Sequence, residues 1–317
     1  MRNKLFLALG ATALLAASLA PSIAGAAPGD RLRERIKARM AERMGAGDAQ
    51  VPKLVPDRTF TYGADPLQTG DLWFPKGHIN DHSVPLVIFV HGGGWKRGSK
   101  DNAASRYAPA HFTGLGYAYA SIDYRLVPTA RVEDQAEDVA RAVNALIGDA
   151  KKLGIDTSRI VLTGHSAGAH LVALVGTDET YLKKVGLSFA DIDGVIPNDG
   201  AAYEVSAQLA QAGRMMKTTY EQAFGTDPER QKALSPTHHA VAPNAPAFLL
   251  IHVQREDGVS QNKVLEAALR NGGTRVQRNE FPGTGLQGHA EINRRLGDPT
   301  YAATGVVDAW LKQLFEG

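Results

Sequence analysis

The most constraining feature of the sequence is a short apolar segment, residues 160–163, that runs into the pattern Gly-x-Ser-x-Gly at residues 164–168. A strand that turns this sharply into a helix strains the backbone at the corner, so the flanking residues must be small. The corner would lift the Ser166 hydroxyl clear of the sheet. The helix N-terminus would point the Ala167 N–H at the same place, where it can stabilise an oxyanion. The pattern predicts a nucleophile elbow, with a chance occurrence of common residues as the alternative.

The length and composition of the chain set the scale of the fold. With 317 residues, of which 44% are hydrophobic and 21% charged, the chain can bury a substantial core and fits one large α/β domain. It contains no cysteine, which excludes thiol catalysis, thiolate metal sites and disulfides. Its stability must therefore come from the core.

The N-terminus has the composition of an export signal. Arg2 and Lys4 precede an apolar run at residues 5–20, and small residues follow at positions 24–26. This arrangement predicts a cleaved signal peptide over residues 1–26, with a permanent membrane anchor as the alternative. The apolar run is short and rich in alanine, so no stable membrane span is expected. A periplasmic or secreted location follows from this prediction.

The charge balance argues against a polyanionic partner. The chain has 35 basic and 33 acidic side chains, and removing residues 1–26 would remove two positive charges and no negative one. The remaining protein would be close to neutral, so no nucleic-acid partner is expected. A basic amphipathic leader and linker is predicted over residues 27–57, and the catalytic domain over residues 58–317.

Beyond residue 58 the pattern alternates between strands and helices. Strands are predicted at 59–62, 71–75, 85–90, 116–123, 159–163, 191–196, 247–252 and 274–281, and the main helices at 132–153, 167–175, 261–270 and 302–315. This order predicts a mostly parallel central sheet with helices on both faces and a site at the carboxyl ends of the strands. Residues 201–234 interrupt the alternation with a helical insertion, which would cover those strand ends as a lid.

Three successive glycines follow the predicted strand 85–90 and precede Trp95. A loop without Cβ atoms lets backbone N–H groups approach a ligand closely, so Gly93 and Gly94 can donate hydrogen bonds to a developing negative charge. A phosphate cradle would need a different spacing and a helix directly afterwards. A plain tight turn is the remaining alternative.

A serine nucleophile needs a base and a carboxylate that orients the base. His289, after the last predicted strand, is the predicted base. Glu256 and Asp257 follow the preceding strand, and Asp257 is preferred because the shorter side chain is commoner in such triads; either could instead be a surface carboxylate.

Charged residues elsewhere are given structural roles. Asp123 and Arg125 are expected to form an ion pair that braces the site. The charges between residues 131 and 141 are expected on a solvated helix face.

The Gly-x-Ser-x-Gly pattern, residues 91–95 (His-Gly-Gly-Gly-Trp) and residues 123–126 (Asp-Tyr-Arg-Leu) together resemble the α/β-hydrolase fold, in particular the hormone-sensitive-lipase-like and related bacterial carboxylesterases. The resemblance covers residues 58–317. It implies that Ser166 is the nucleophile and His289 the base. It also implies that the N–H groups of Gly93, Gly94 and Ala167 bind the oxyanion. Such families often have His-Gly-x-x-Asp at the acid strand, and that register places Glu256 at the acid position, so both acids stay open.

The sequence therefore predicts an exported serine hydrolase that cleaves small-molecule carboxylic esters through an acyl-enzyme, with no metal or organic cofactor. An arylformamidase-like amide or formamide hydrolase is the alternative within enzymes, and a polysaccharide esterase for acetyl or feruloyl groups is compatible with export. A non-catalytic binding protein on a hydrolase scaffold is the alternative from another class. The acyl length, the alcohol group and the oligomeric state are not encoded in these motifs.

Overall fold

The computed structural model describes residues 52–79 and 83–316. The predicted signal peptide, residues 1–26, and nearly all of the predicted leader, residues 27–57, lie outside the described residues. Within the described part of the chain, no helix is both long and apolar enough to cross a membrane.

A sheet of eight strands forms the centre of the fold, in the order β1-β2-β4-β3-β5-β6-β7-β8. The β1–β2 and β2–β4 pairs are antiparallel and all other neighbouring pairs are parallel. The strands are β1 (Arg58–Thr61), β2 (Thr69–Trp73), β3 (Val84–Val90), β4 (Ala118–Ile122), β5 (Ile155–His165), β6 (Gly194–Asn198), β7 (Ala247–Val253) and β8 (Arg275–Phe281). The predicted mostly parallel α/β sheet is confirmed.

The alternation of side chains along the central strands builds two cores. Along β3, Leu86, Ile88 and Val90 belong to one buried cluster, while Val87 and Phe89 belong to the other. Successive side chains of a strand point to opposite faces, so a continuous apolar run is what a sheet covered on both faces requires. This explains why β3 reads as uninterrupted apolar sequence.

Helices cover both faces of the sheet. They are α1 (Ala108–Gly114), α2 (Val132–Gly148), α3 (Ala150–Leu153), α4 (Ala167–Thr177), α5 (Thr180–Lys183), α6 (Val205–Gln211), α7 (Arg214–Phe224), α8 (Pro228–Ala233), α9 (Pro236–His239), α10 (Glu256–Asn271), α11 (Gly285–Arg294) and α12 (Ala302–Glu316). Buried residues of α2, α4 and α10 belong to the cluster of Leu86, and those of α1, α11 and α12 to the cluster of Val87. The prediction of helices on both faces is confirmed.

The helical insertion lies between β6 and β7 and consists of α6 to α9; we call it the lid. Its inner residues pack on the loop after β3, residues 92–95, which we call the glycine loop. The Trp95 ring lies 4.7 Å from the Phe224 ring and 5.8 Å from the Tyr220 ring, centroid to centroid. Phe224 and Tyr203 are fully buried. The lid is therefore anchored by an aromatic cluster.

The expected Asp123–Arg125 ion pair is wrong, and the expected solvated face of charges between residues 131 and 141 is wrong at Asp138 alone. Arg125 pairs with Asp138 on α2, at 2.7 Å between Nη2 and Oδ1, and not with Asp123. Asp138 is fully buried, so it does not lie on a solvated helix face. It accepts hydrogen bonds from Arg125 and from Gln68. Helical spacing identified the face of α2 but could not show that the Arg125 side chain reaches Asp138 on it.

Candidate active site

Ser166 stands at a strained corner between β5 and α4. Its backbone angles are φ 56° and ψ −116°, a region that a residue with a side chain rarely adopts. Its N–H donates to Asn198 O, which ties the corner to the end of the neighbouring strand β6. Ser166 Oγ has no hydrogen-bond partner among residues 52–79 and 83–316 and lines a cavity. The structure thus has the elbow that the sequence predicted.

The two glycines of the elbow are required by packing. A Cβ on Gly164 would lie 2.4 Å from Gly168 O, and a Cβ on Gly168 would lie 2.1 Å from Val90 O. Both distances are far below van der Waals contact with rigid backbone. Small residues are therefore needed because α4 begins directly against β3 and β5.

The glycine loop after β3 lies beside the elbow. A Cβ on Gly92 would come within 3.0 Å of Ser166 Cβ, so the loop backbone approaches the serine closely. Gly93 and Gly94 have φ values of 130° and 64°, which favour glycine. Their N–H groups make no hydrogen bond within the described residues, and both residues line the cavity together with Ala167. Unpaired N–H groups at this position can donate to an oxyanion.

His289 is held by a buried carboxylate, Asp199. Their atoms Nδ1 and Oδ2 lie 2.5 Å apart, and the Asp199 side chain is fully buried. A carboxylate only accepts hydrogen bonds, so Nδ1–H donates to it and Nε2 is left as the basic nitrogen. His289 lines the same cavity as Ser166, although no direct hydrogen bond joins the two in the described structure. The pair has the arrangement of a general base and its orienting acid.

The position of Asp199 is fixed by hydrogen bonds to the backbone of β7. It directly follows β6, its N–H donates to Ile251 O, and its Oδ1 accepts the Val253 N–H at 3.1 Å. Its φ of 45° is a strained value for a residue with a side chain. The end of β7 therefore holds one carboxylate oxygen while the other faces His289.

The two predicted acids lie elsewhere, which corrects the choice made from the sequence. Helix α10 begins at Glu256, so both residues lie in its first turn. Glu256 is exposed. Asp257 lies 3.0 Å from Arg255 and accepts a hydrogen bond from Gln208 of the lid. Neither contacts His289, because the early start of α10 directs both away from it.

Arg255 lies between these acids and the His289–Asp199 pair. Its Nη1 is 3.0 Å from His289 Nδ1 and 3.8 Å from Asp199 Oδ2. His289 Nδ1–H donates to Asp199, and a guanidinium only donates, so Arg255 acts here as a neighbouring positive charge. Burial alone would raise the pKa of Asp199, but the hydrogen bond from His289 and the charge of Arg255 outweigh it and lower that pKa. Asp199 is thereby kept ionised.

His165 supports His289 from the other side. Its ring lies 4.4 Å from the His289 ring, and its Nε2 is 2.9 Å from the His289 carbonyl oxygen. Burial lowers the pKa of His165 well below its ordinary value, so the ring is neutral and Nε2–H donates to that carbonyl. His165, the residue before the serine, therefore helps to fix the position of His289.

The cavity itself has a volume of about 610 Å³. The catalytic candidates Ser166 and His289 lie on its wall with the glycine loop, and lid residues including Met216 and Tyr220 complete it. No cluster of three or more metal-ligating side chains occurs among the described residues. The groups at the cavity wall are those of acyl transfer: a hydroxyl, an oriented imidazole and free backbone N–H groups.

Comparison with known proteins identifies the family. The BD-FAE family model matches residues 71–269, which is more than half of the chain. The chain belongs to the BD-FAE family.

Curated relatives of this BD-FAE family member are esterases by name. Esterase LipC of Mycobacterium tuberculosis is 31% identical over 213 residues, which cover 64% of this chain and 52% of that protein. Carboxylesterase NlhH of the same species is 33% identical over 130 residues, covering 39% and 40%. Isoprenylcysteine alpha-carbonyl methylesterase ICME of Arabidopsis thaliana is 33% identical over 116 residues, covering 37% and 26%. The chain thus spans about half the length of LipC and less of the other two.

Solved structures share the fold. Esterase B of Lactobacillus rhamnosis has a TM-score of 0.68 at 23% identity, and the match covers 90% of this chain and 93% of the esterase chain. A truncated carbohydrate esterase from gut microbiota has a TM-score of 0.69 at 20% identity, and the match covers 85% of this chain and 99% of the esterase chain. The α/β-hydrolase fold and the resemblance to its carboxylesterases are confirmed.

One residue of the site in this BD-FAE family member was missed from the sequence. The predicted strand 191–196 is followed within three residues by Asp199, and a polar residue just after a parallel strand is a site candidate. That signal was present in Asn198-Asp199-Gly200. The structure also places His289 inside α11, a helix that was not among those predicted from the sequence.

Proposed function

We propose that this protein is a serine hydrolase that cleaves carboxylic esters of small molecules through an acyl-enzyme. The observation that carries the proposal is the set of groups on one cavity wall. These groups are the Ser166 hydroxyl at a strained corner, the His289 imidazole hydrogen-bonded to buried Asp199, and the unpaired N–H groups of Gly93 and Gly94. The named esterases among the relatives support the same reaction class.

The reaction begins with attack of Ser166 Oγ on the ester carbonyl carbon. His289 Nε2 takes the hydroxyl proton, and Asp199 stabilises the imidazolium through the Nδ1 hydrogen bond. The negative charge that develops on the carbonyl oxygen is stabilised by the N–H groups of Gly93, Gly94 and Ala167. Collapse of this tetrahedral intermediate breaks the ester C–O bond, and His289 returns the proton to the leaving alcohol.

The second half repeats these steps with water. His289 Nε2 removes a proton from a water molecule, whose oxygen attacks the acyl carbon of the Ser166 ester. The second intermediate expels Ser166 Oγ, which regains its proton from His289. The products are a carboxylic acid and the free enzyme, so the cycle uses no cofactor.

We also propose that the protein is exported, because the pattern of residues 1–26 is that of a cleaved signal peptide. Fractionation of expressing cells, with N-terminal sequencing of the product, tests this. A product that starts just after residue 26 in the periplasm or medium supports export. A full-length cytoplasmic product contradicts it and leaves the proposed reaction untouched.

Hydrolysis of 4-nitrophenyl esters over a series of acyl lengths tests the reaction. The parent should release 4-nitrophenol and bind a fluorophosphonate at Ser166, and Ser166→Ala should do neither. His289→Ala should be almost inactive, while Glu256→Gln, a change on the exposed start of α10, serves as the matched control. Activity that survives Ser166→Ala would contradict the mechanism, and failure of the parent with all esters would contradict the function.

A further inference from the structure

Two cations follow the glycine loop directly and line the cavity beside its unpaired N–H groups. They are Lys96 and Arg97. Among the described residues, Lys96 Nζ donates hydrogen bonds only to neutral oxygens, Thr219 Oγ1 at 3.2 Å and Gln222 Oε1 at 3.3 Å. Arg97 is exposed. Neither residue forms an ion pair with any carboxylate in the described part of the chain, so both charges are available to a bound molecule.

The lid helix α7 carries two further cations. Arg214 and Lys217 lie on the first two turns of α7, next to Met216 and Thr218, which line the cavity. Neither cation has a carboxylate partner within residues 52–79 and 83–316. Lys96 and Arg97, which line the cavity themselves, are named the cationic rim.

The carboxylates near the cavity do not neutralise this rim. Asp257 lines the cavity but lies 3.0 Å from Arg255, and Asp199 is buried against His289. The charge at the mouth of the cavity therefore stays positive, and such a concentration of one sign attracts molecules of the opposite sign.

The rim is held at a defined distance from the reacting groups. A Cβ on Gly94 would lie 3.0 Å from Thr219 Cγ2, so the glycine loop and α7 are in close contact there. Lys96 bridges the same two elements through its bonds to Thr219 and Gln222. A charge bound at Lys96 or Arg97 would thus be positioned relative to Ser166 and not merely attracted to the surface.

We propose that the ester substrate carries a carboxylate, which the cationic rim binds while the ester carbonyl lies at Ser166. This inference rests on the proposed hydrolase function and specifies its substrate class. Exposed Met216 and Leu286, which also line the cavity, contact the apolar part of such a substrate. The rim selects for the charged group, and the glycine loop acts on the carbonyl whichever ester is bound.

A pair of isosteric esters tests the inference. One is the 4-nitrophenyl monoester of adipic acid, which is anionic, and the other is its neutral terminal carboxamide; spontaneous hydrolysis of each is subtracted. An anionic group in the alcohol is tested with 4-acetoxybenzoate against 4-acetoxybenzamide. We expect kcat/KM to favour the anionic member of at least one pair by about threefold to tenfold, the size of a partly exposed charge contact.

Single-charge variants show whether the preference for the anionic ester comes from the cationic rim or from the net charge of the protein. Arg97→Gln and Lys96→Met should each lower the anionic-to-neutral ratio. Lys312→Gln is the matched control, because Lys312 is an exposed cation of α12. Its neighbours Trp310 and Leu314 pack against Gly194 at the start of β6, which is the end of the sheet opposite the cavity. This control variant should leave the ratio unchanged. Raising the salt concentration should reduce the ratio for the parent, because it screens exposed charges.

The outcomes distinguish the two proposals. Hydrolysis of both members of each pair at equal kcat/KM would overturn the carboxylate inference and leave the hydrolase function standing. A preference that survives both rim variants would also overturn it. Failure to cleave any ester, together with failure of Ser166 to bind a fluorophosphonate, would overturn the function itself.

Discussion

His289 and Asp199 are joined across the ends of two strands that are not neighbours. Asp199 follows β6 and His289 lies in the helix after β8, yet Nδ1 and Oδ2 are 2.5 Å apart. The strand between them, β7, takes part through Val253, whose N–H donates to Asp199 Oδ1. The carboxylate is therefore oriented by backbone as well as by the histidine, which fixes the pair before any substrate binds.

Replacing Asp199 with asparagine tests which carboxylate orients the base. The amide keeps the size of the side chain but can hold His289 in the wrong tautomer and cannot stabilise the imidazolium, so kcat should fall by about a thousandfold to ten thousandfold. Asp257→Asn is the matched control and should lose far less. Steady-state hydrolysis of a 4-nitrophenyl ester measures both. Equal losses in the two variants, or a larger loss for Asp257→Asn, would contradict the role of Asp199.

Gly168→Ala should destabilise the protein through the elbow. The added Cβ would lie 2.1 Å from Val90 O, and both backbones are held in the core, so we expect a loss of about 3 kcal/mol in the free energy of unfolding. Gly148→Ala is the control, since a Cβ there meets nothing within 4 Å. Urea unfolding compares the two. Similar stabilities of the Gly168→Ala and Gly148→Ala variants would show that the backbone at the elbow can shift to make room for a Cβ, which would contradict the prediction.

The elbow, the glycine loop and the sheet could be predicted because each depends on local sequence. Continuous apolar runs mark β3 and β5, and Gly-x-Ser-x-Gly has a backbone requirement of its own. The partner of His289 depends on which strand end lies beside the base and where the next helix begins. Helix α10 starts at Glu256, five residues before the predicted helix, and this early start places Asp257 against Arg255 instead of His289.

Gln208 should couple the lid to the loop that carries Arg255. Its Nε2 donates to Tyr220 OH and to Asp257 Oδ2, both at 3.1 Å, and the side chain is buried. Gln208→Met keeps the volume but removes both bonds and takes from the buried Tyr220 hydroxyl the donor that Gln208 supplies, so the protein should lose about 1–3 kcal/mol of stability and KM for esters should rise. Gln211→Met, on the exposed end of the same helix, is the control. Urea unfolding and ester kinetics that are identical in the two variants would contradict the coupling.

Acid should destabilise the fold through its buried histidines. Burial lowers the pKa of His91 and of His170 to about 4, whereas an unfolded histidine titrates near its ordinary value of about 6.5. Between these values the unfolded state binds more protons than the folded state, so the free energy of unfolding falls as the pH falls from about 6.5 to about 4. Each histidine contributes at most about 1.4 kcal/mol per pH unit within this window.

His170→Gln isolates one of these groups. His170 Nε2 lies 2.8 Å from Leu234 O, and the glutamine amide can donate to the same oxygen. The variant should show a shallower dependence of unfolding free energy on pH between 6.5 and 4, by up to one proton, whatever its stability at pH 7. Urea unfolding at pH 8, 7, 6 and 5 measures the slopes, which should coincide for parent and variant above pH 7. Slopes that also coincide below pH 6 would mean that His170 is protonated in the folded state, and the burial of a neutral imidazole beneath the lid would be refuted.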